Sequence, residues 1–323
     1  MRVGQNPIKS LETIAPPSLV TVVVISHIPF PSGYYEHSLH VFKLCLNSLR
    51  ANTKENFDLL VFDNGSGQKT RSFLLQEQEK GNIQYLLLSE RNLGKPQAWN
   101  IALTAAPGEF IAYADSDVCF YPGWLAASLK ALKEFPGTGM VTAMPILTPE
   151  KYSSRTIKWA KKQKRVKIER GKIISWNDFW RHAQSLGDSE QKARKFYDQN
   201  PATKLRISQQ EYFIGAAHFQ FTAPKAALKA VLPIPADRPM GRVRLLDEAM
   251  DDAGYLRICT AKWYVQHLGN QMPVASDFIF PLELGAPTQR KTRQYSGLWR
   301  LPLLRNFLQW LYGWSFNRIH RTK

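Results

Sequence analysis

The chain predicts an α/β fold with a mostly parallel, doubly wound central sheet, and three observations predict it. Near-continuous apolar runs rich in β-branched residues recur at Leu19 to Ile25, Phe57 to Phe62 and Phe110 to Ala114. Such runs suit strands buried on both faces. Between them, apolar residues recur at helical spacing. Each run also stops on polar residues: Ser26-His27, Asp63-Asn-Gly-Ser66 and Asp115-Ser-Asp117. In an open α/β sheet those positions fall at the C-terminal strand ends, where ligands bind.

In chain order, residues 1–18 are a polar lead-in with Pro7, Pro16 and Pro17 and no apolar run like that of a signal peptide. The first strand follows, then a Pro/Gly-rich loop from Ile28 to Gly33. Leu39, Phe42, Cys45, Leu46 and Leu49 mark the first helix, and Phe73 and Leu74 the helix after the second strand. Ile83 to Leu88 predicts a third strand. The loop Glu90 to Pro96 leads into a helical stripe of Ala98, Ile101, Ala102 and Ala105. After the strand Phe110 to Ala114, Leu125, Leu129 and Leu132 give a helix and Gly139 to Met144 a strand. The alternation β-α-β-α-β-α-β-α-β over 19–145 carries the fold class. No GxGxxG follows the first strand, and Gly65-Ser-Gly-Gln-Lys-Thr70 lacks the Gly-Lys-Ser/Thr ending of a P-loop.

The second half changes character. Residues 151–172 hold ten Lys or Arg against one acid, Glu169, with Trp159, Trp176 and Trp180 in or near the stretch. It predicts a basic, helical insertion over 146–210, either a solvated face or a site for an anionic partner. Phe213 to Thr222 is strand-like, Arg244 to Tyr255 is an acidic helix with a Gly stop, and Leu256 to Val265 is strand-like again, ahead of His267-Leu-Gly-Asn270. The domain thus spans 19–283, as a first half (19–145), the insertion (146–210) and a second half (211–283). The tail 284–323 has eight Lys or Arg and no acid. In it Leu303, Leu304, Phe307, Leu311 and Trp314 recur at helical spacing, as in a helix lying in an anionic membrane interface or one packing on the domain.

Composition narrows the partners. With 323 residues, 44% hydrophobic and 12% aromatic, the chain has material for a large core and is not disordered. A formal net charge of +17 favours anionic partners. Cys45, Cys119 and Cys259 are too few and too scattered for a disulfide framework or a zinc site, and fit reduced thiols in the cytoplasm. No run reaches the roughly 18 apolar residues of a spanning helix.

Asp115 and Asp117 lie on one side of an extended chain, just past a strand. Uncompensated, they repel. A hard cation such as Mg²⁺ or Mn²⁺ bridged to phosphate oxygens removes that repulsion. A nucleic-acid-binding protein would account for the charge, but not for acids at the strand ends where phosphates must bind.

Taken together, the strand Val20 to Ser26, Val61-Phe-Asp-Asn-Gly-Ser66, Asn92-Leu-Gly-Lys-Pro-Gln-Ala-Trp-Asn-Ile-Ala102, Gly108-Glu-Phe-Ile-Ala-Tyr-Ala-Asp-Ser-Asp117 with Pro122, and His267-Leu-Gly-Asn270 resemble the family 2 glycosyltransferases. The resemblance covers about residues 19–270, and it makes 19–145 the nucleotide-sugar-binding half and 211–283 the acceptor and catalytic half. It implies the GT-A fold of the nucleotide-diphospho-sugar transferases, an inverting transfer to an acceptor hydroxyl, and a divalent cofactor, Mn²⁺ or Mg²⁺. It implies a glycan or lipid-linked acceptor in cell-surface polysaccharide or glycolipid synthesis, cytoplasmic placement with a peripheral hold on the inner membrane face, and no nucleic acid. By the same resemblance Ser26 and His27 edge the base pocket and Asp63 bonds base or ribose. Asn92 and Lys95 close the nucleotide site, Asp115 reaches ribose or metal, and Asp117 and His267 hold the metal. Asp247 or Glu248 takes the acidic catalytic position, with Asp247 as general base. Asp251 and Asp252 compete for that role. A sugar nucleotidyltransferase would share the fold, but its glycine-rich loop after the first strand is missing.

Overall fold

The computed structural model describes residues 14–281, and beyond them Phe307, Trp310, Leu311 and Trp314. Its first half runs β1 (Val20–Ser26), α1 (Ser38–Ala51), β2 (Phe57–Asn64), α2 (Gln68–Glu79), β3 (Tyr85–Ser89), α3 (Lys95–Ala105), β4 (Phe110–Asp115), β5 (Val118–Phe120), α4 (Trp124–Glu134) and β6 (Thr138–Thr142). The second half runs α5 (Ser154–Lys162), β7 (Val166–Gly171), α6 (Trp176–Ser185), α7 (Glu190–Gln199), β8 (Ala202–Ile207), β9 (Gln210–Ile214), β10 (Gln220–Pro224), α8 (Lys225–Val231), α9 (Arg244–Asp252), β11 (Leu256–Thr260) and β12 (Val265–His267).

One large sheet has the strand order β3-β2-β1-β4-β10-β6-β11-β9-β8-β7. Strands β3, β2, β1 and β4 pair in parallel, as do β6 and β11. Strand β10 runs antiparallel between β4 and β6, and β9, β8 and β7 extend the far side as an antiparallel ladder.

β1 shows why the sequence reads as a continuous apolar run. All seven of its residues are buried. Successive side chains point to opposite faces. Val20, Val22 and Val24 join Phe42, Leu46 and Leu49 of α1 in one core. Val23 and Ile25 join Trp99, Ala102 and Leu103 of α3 in the other. Helices on both faces leave β1 no solvent side, so alternation with polar residues would bury unpaired groups.

Several strands depart from the sequence expectation. The run Phe213 to Thr222 is not one strand: β9 ends at Ile214, and a loop through Gly215, at φ +93°, separates it from β10. Leu256 to Val265 likewise divides into β11 and β12. Val118–Phe120, which the sequence pattern does not mark as a strand, pairs with β12 in a separate two-stranded ribbon. The basic insertion is not helical throughout. Val166–Gly171 is β7, paired along its length with β8, and Lys204 of β8 meets Glu169 of β7 at 3.0 Å across the pair.

Phe307, Trp310, Leu311 and Trp314 belong to a separate compact unit. Their backbone is helical, their side chains are exposed, and the Phe307 and Trp310 rings stack. Leu303 and Leu304 lie outside the described residues. Among the described residues, no helix is long and apolar enough to cross a membrane.

Candidate active site

The C-terminal ends of β1, β2 and β4 open onto a cavity of about 420 Å³, within the range of small-ligand sites. His27, Tyr34, Tyr35, Asn64, Asn92, Lys95, Tyr113, Asp115, Asp117, Met240 and Asn270 are among the residues that line it.

One wall is a closed hydrogen-bond chain. His27 Nδ1 lies 2.8 Å from the Asn64 carbonyl, which can only accept, so Nδ1 carries the proton. Nε2 then accepts from Asn92 Nδ2 at 3.2 Å. Asn92 Oδ1 takes Asn64 Nδ2 at 3.0 Å and the Gly94 amide at 2.8 Å. Asn64 Oδ1 accepts from the Leu93 amide at 2.8 Å. Gly94 sits at φ +78°, and a Cβ there would lie 2.6 Å from the Pro239 carbonyl oxygen. Only glycine lets the α3 start approach the segment that carries Met240.

The floor carries charge. Lys95 Nζ meets Asp115 Oδ2 at 2.7 Å, and the Tyr113 hydroxyl donates to Asp115 Oδ1. Burial and the Asp115 charge push the Tyr113 phenol well above its ordinary value, so it stays a donor. Lys95 Nζ also sits 5.1 Å from the Trp99 ring centroid. Both oxygens of Asp115 are therefore engaged.

Asp117 differs. It lies in the turn between β4 and β5, and the β5–β12 ribbon sets Val118 opposite His267. The Leu268 amide bonds the Asp117 carbonyl at 2.8 Å. This brings His267 Nε2 to 3.3 Å from Asp117 Oδ2, while Asp117 Oδ1 is buried without a hydrogen-bond partner. Burial disfavours charge on both groups, but their mutual attraction outweighs it. Asp117 is held below the usual carboxylate range and His267 above its ordinary value. Ser185 Oγ, 3.0 Å from His267 Nδ1, orients the ring from α6.

Of the residues singled out in the sequence, His27, Asn92, Lys95, Asp115 and Asp117 line this one cavity. Ser26 and Asp63, expected at its edge, are fully buried behind the wall. Asp63 is occupied by Ser26 Oγ at 3.3 Å, the Ser66 amide at 3.3 Å and Arg71 Nε at 3.4 Å. Its neighbour Asn64 faces the cavity in its place, because successive residues alternate across β2. On α9 Glu248 is exposed. Asp247 is buried, with Arg257 Nη1 at 3.1 Å and His218 Nδ1 at 3.5 Å. Asp251 Oδ2 accepts from Ser154 Oγ at 3.2 Å. Sequence reasoning missed His218, His182, Ser185 and Arg257, which come together only through tertiary pairing. Tyr34 and Tyr35, just past the Pro/Gly-rich loop after the first strand, were not singled out either.

Residues 34–184 match the model of the family described as glycosyl transferase family 2. The matched stretch contains most of the cavity lining. Over 88 residues, 27% of this chain, the sequence is 30% identical to EpsH of Bacillus subtilis (strain 168), a glycosyltransferase by name; the match spans 25% of that protein. Over 102 residues, 32% of this chain, it is 26% identical to an uncharacterized glycosyltransferase of Nostoc sp., spanning 32% of it. The chain thus spans well under two thirds of the length of these relatives. Among solved structures, the mannosyltransferase PcManGT from Pyrobaculum calidifontis in complex with GDP-Man and Mn2+ overlays with a TM-score of 0.45 at 16% identity, covering 79% of this chain and 59% of that one.

Proposed function

We propose that this protein transfers a glycosyl group from a nucleotide-diphospho-sugar to an acceptor hydroxyl, with inversion at the anomeric carbon. The observation that carries the reading is Asp117: a buried carboxylate oxygen without a partner, in a cavity wall, beside an imidazole and next to a cationic lysine. A buried anion oxygen left unpaired is costly, and a ligand that supplies positive charge relieves that cost.

Asp117 and His267 fit a divalent cation, one carboxylate and one imidazole with room for phosphate oxygens. Such an ion, when bound, neutralises charge on the diphosphate leaving group. Lys95 adds a second positive charge on the same side. Tyr34, Tyr35 and the His27–Asn92–Asn64 chain form a rigid, partly aromatic wall suited to a nucleoside. Expulsion of the diphosphate by one direct attack, with no covalent intermediate, inverts the configuration. The acceptor class we infer is a glycan or lipid-linked saccharide at an anionic membrane face, from the basic, aromatic composition of 284–323.

The test is calorimetric titration of UDP and GDP into the full chain, with and without Mn²⁺. Asp117→Ala should remove the Mn²⁺-dependent part of the affinity and leave the fold intact. An unchanged affinity would exclude Asp117 as the cation ligand.

A further inference from the structure

Beside Asp247 stands a histidine that the sequence did not single out. His218 lies in the loop between β9 and β10. That loop is pinned at two points: the Ala217 amide donates to Thr142 Oγ1 at 2.8 Å, and the Phe219 carbonyl accepts the Asp115 amide at 2.8 Å. The Phe219 ring lies 5.4 Å from the His267 ring. His218 therefore stands one residue from contacts with both Asp115 and His267.

Its ring has two unlike edges. Nδ1 is buried, makes no hydrogen bond, and faces Asp247 Oδ2 at 3.5 Å. The side chain as a whole keeps 37% of its surface exposed, so the open edge is the one bearing Nε2. Catalytic hydrogen bonds are often long before substrate binds. Asp247 has a second charged neighbour: the Arg257 guanidinium, 2% exposed, forms an ion pair with its other oxygen at 3.1 Å without a hydrogen bond, and donates to the Tyr152 carbonyl. This is the arrangement of a base oriented by a carboxylate, with a third group holding the carboxylate.

We propose that His218 Nε2, and not Asp247, receives the proton of the acceptor hydroxyl, and that Asp247 is a positioning residue that keeps the proton of the resting ring on Nδ1. The proposal rests on the glycosyl-transfer reading above. In the step, the acceptor oxygen forms a bond to the anomeric carbon and the carbon–oxygen bond to the diphosphate breaks. The electron pair leaves with the nucleoside diphosphate. The hydroxyl proton passes to Nε2, and the imidazolium, facing Asp247, later releases it to water. The other charged or titratable groups near the ring are Arg257 behind Asp247, His182 from α6, and Lys95, which shares the Trp99 ring with His218. Burial, then the charges of His267 and His218, push His182 down to about 3, so it stays neutral.

The experiment measures release of nucleoside diphosphate from UDP- and GDP-hexoses, with water as acceptor, for the full chain in Mn²⁺. His218→Ala should lose about 10²–10⁴-fold in turnover, the usual contribution of a general base. Its affinity for UDP or GDP should stay within about twofold, since His218 does not line the nucleotide cavity. Added imidazole should restore at least tenfold, roughly a tenth of the loss at its lower limit. A structural role would not respond to imidazole. Asp247→Asn should also lose turnover, without rescue. Turnover of His218→Ala equal to the parent, or a loss that imidazole leaves unchanged, overturns the assignment. If water proves too poor an acceptor to follow, long-range proton–nitrogen spectra of the imidazoles decide. Protonated Nδ1 with bare Nε2 is expected for His218, and the opposite tautomer overturns the proposal. A parent that binds none of UDP, GDP, CDP, ADP and dTDP in Mn²⁺ removes the glycosyl-transfer reading itself, and the base assignment with it.

Discussion

Replacing Lys95 by Met isolates the charge balance of the cavity floor. The change keeps most of the aliphatic stem and removes the ammonium. Lys95 and Asp115 are 18% and 23% exposed at the side chain and 2.7 Å apart. A hydrogen bond to a charged group in such a setting contributes about 1.5–3 kcal/mol. The cation over Trp99 adds about 0.5–1 kcal/mol. The Tyr113 hydroxyl still serves Asp115 in the variant and offsets part of the loss. A net destabilisation of about 2 kcal/mol is therefore expected, equivalent to roughly 4–6 °C in melting temperature for a domain of this size. Scanning calorimetry without ligand measures it. Calorimetric titration with UDP or GDP should show a second effect, about a tenfold or greater loss of affinity, because the proposed function sets Lys95 against the diphosphate. Asp115→Asn should destabilise similarly but spare the diphosphate affinity, since it leaves Lys95 free to turn to phosphate. The double variant should recover about 1–2 kcal/mol relative to the sum of the singles. A Lys95→Met protein as stable as the parent, with undiminished diphosphate affinity, refutes the reasoning.

Two other outcomes follow from other parts of the molecule. Glu77 meets Arg50 at 2.8 Å, Lys80 at 3.0 Å and Asn82 at 3.0 Å; burial raises its pKa, but these partners outweigh burial and hold it below its ordinary value. A depressed folded value stabilises above the unfolded glutamate range, near about 4.3, and the stabilisation is lost as pH falls through the lower folded value. Glu77→Gln should cost about 1–2 kcal/mol at neutral pH, and the gap in urea midpoints should close on acidification; a gap constant with pH contradicts this. The exposed Trp310 and Trp314, at 62% and 49%, test the membrane reading. The double change to Ser should reduce flotation with phosphatidylserine vesicles, and equal flotation of variant and parent would exclude these rings from lipid contact.

The parts of the fold written in local pattern were legible in the sequence. β1, β2 and β4 are buried on both faces, so their apolar runs carry no competing signal, and α1 and α4 show their stripes plainly. Strands whose existence depends on a distant partner were not legible. Val118–Phe120 becomes a strand because Val265–His267 comes to pair with it. Val166 to Arg170 alternates, but its outward residues are mostly charged, and the charge masked the period. The cavity lining shares this logic. His27 follows β1, Asp115 ends β4 and Asp117 lies two residues beyond it, so their convergence could be anticipated. Asp63 and Asn64 could not be told apart, because one residue of register decides which faces the cavity. The link from Asp247 to His218 and Arg257 spans three elements and leaves no local trace.

The antiparallel β10 has a consequence for how the molecule comes into being on the ribosome. A nascent chain that has emerged as far as residue 145 contains β4 and β6, but the strand that lies between them is still about 75 residues away. Until β10 arrives, β4 presents an unpaired edge beside an apolar sheet, and β6 has no neighbour at all. Open edges of this kind recruit other chains. Holding back such contacts during synthesis falls to chaperones or to slow, concerted closure of the sheet. The latest-made third of the chain therefore completes the interior begun by the first.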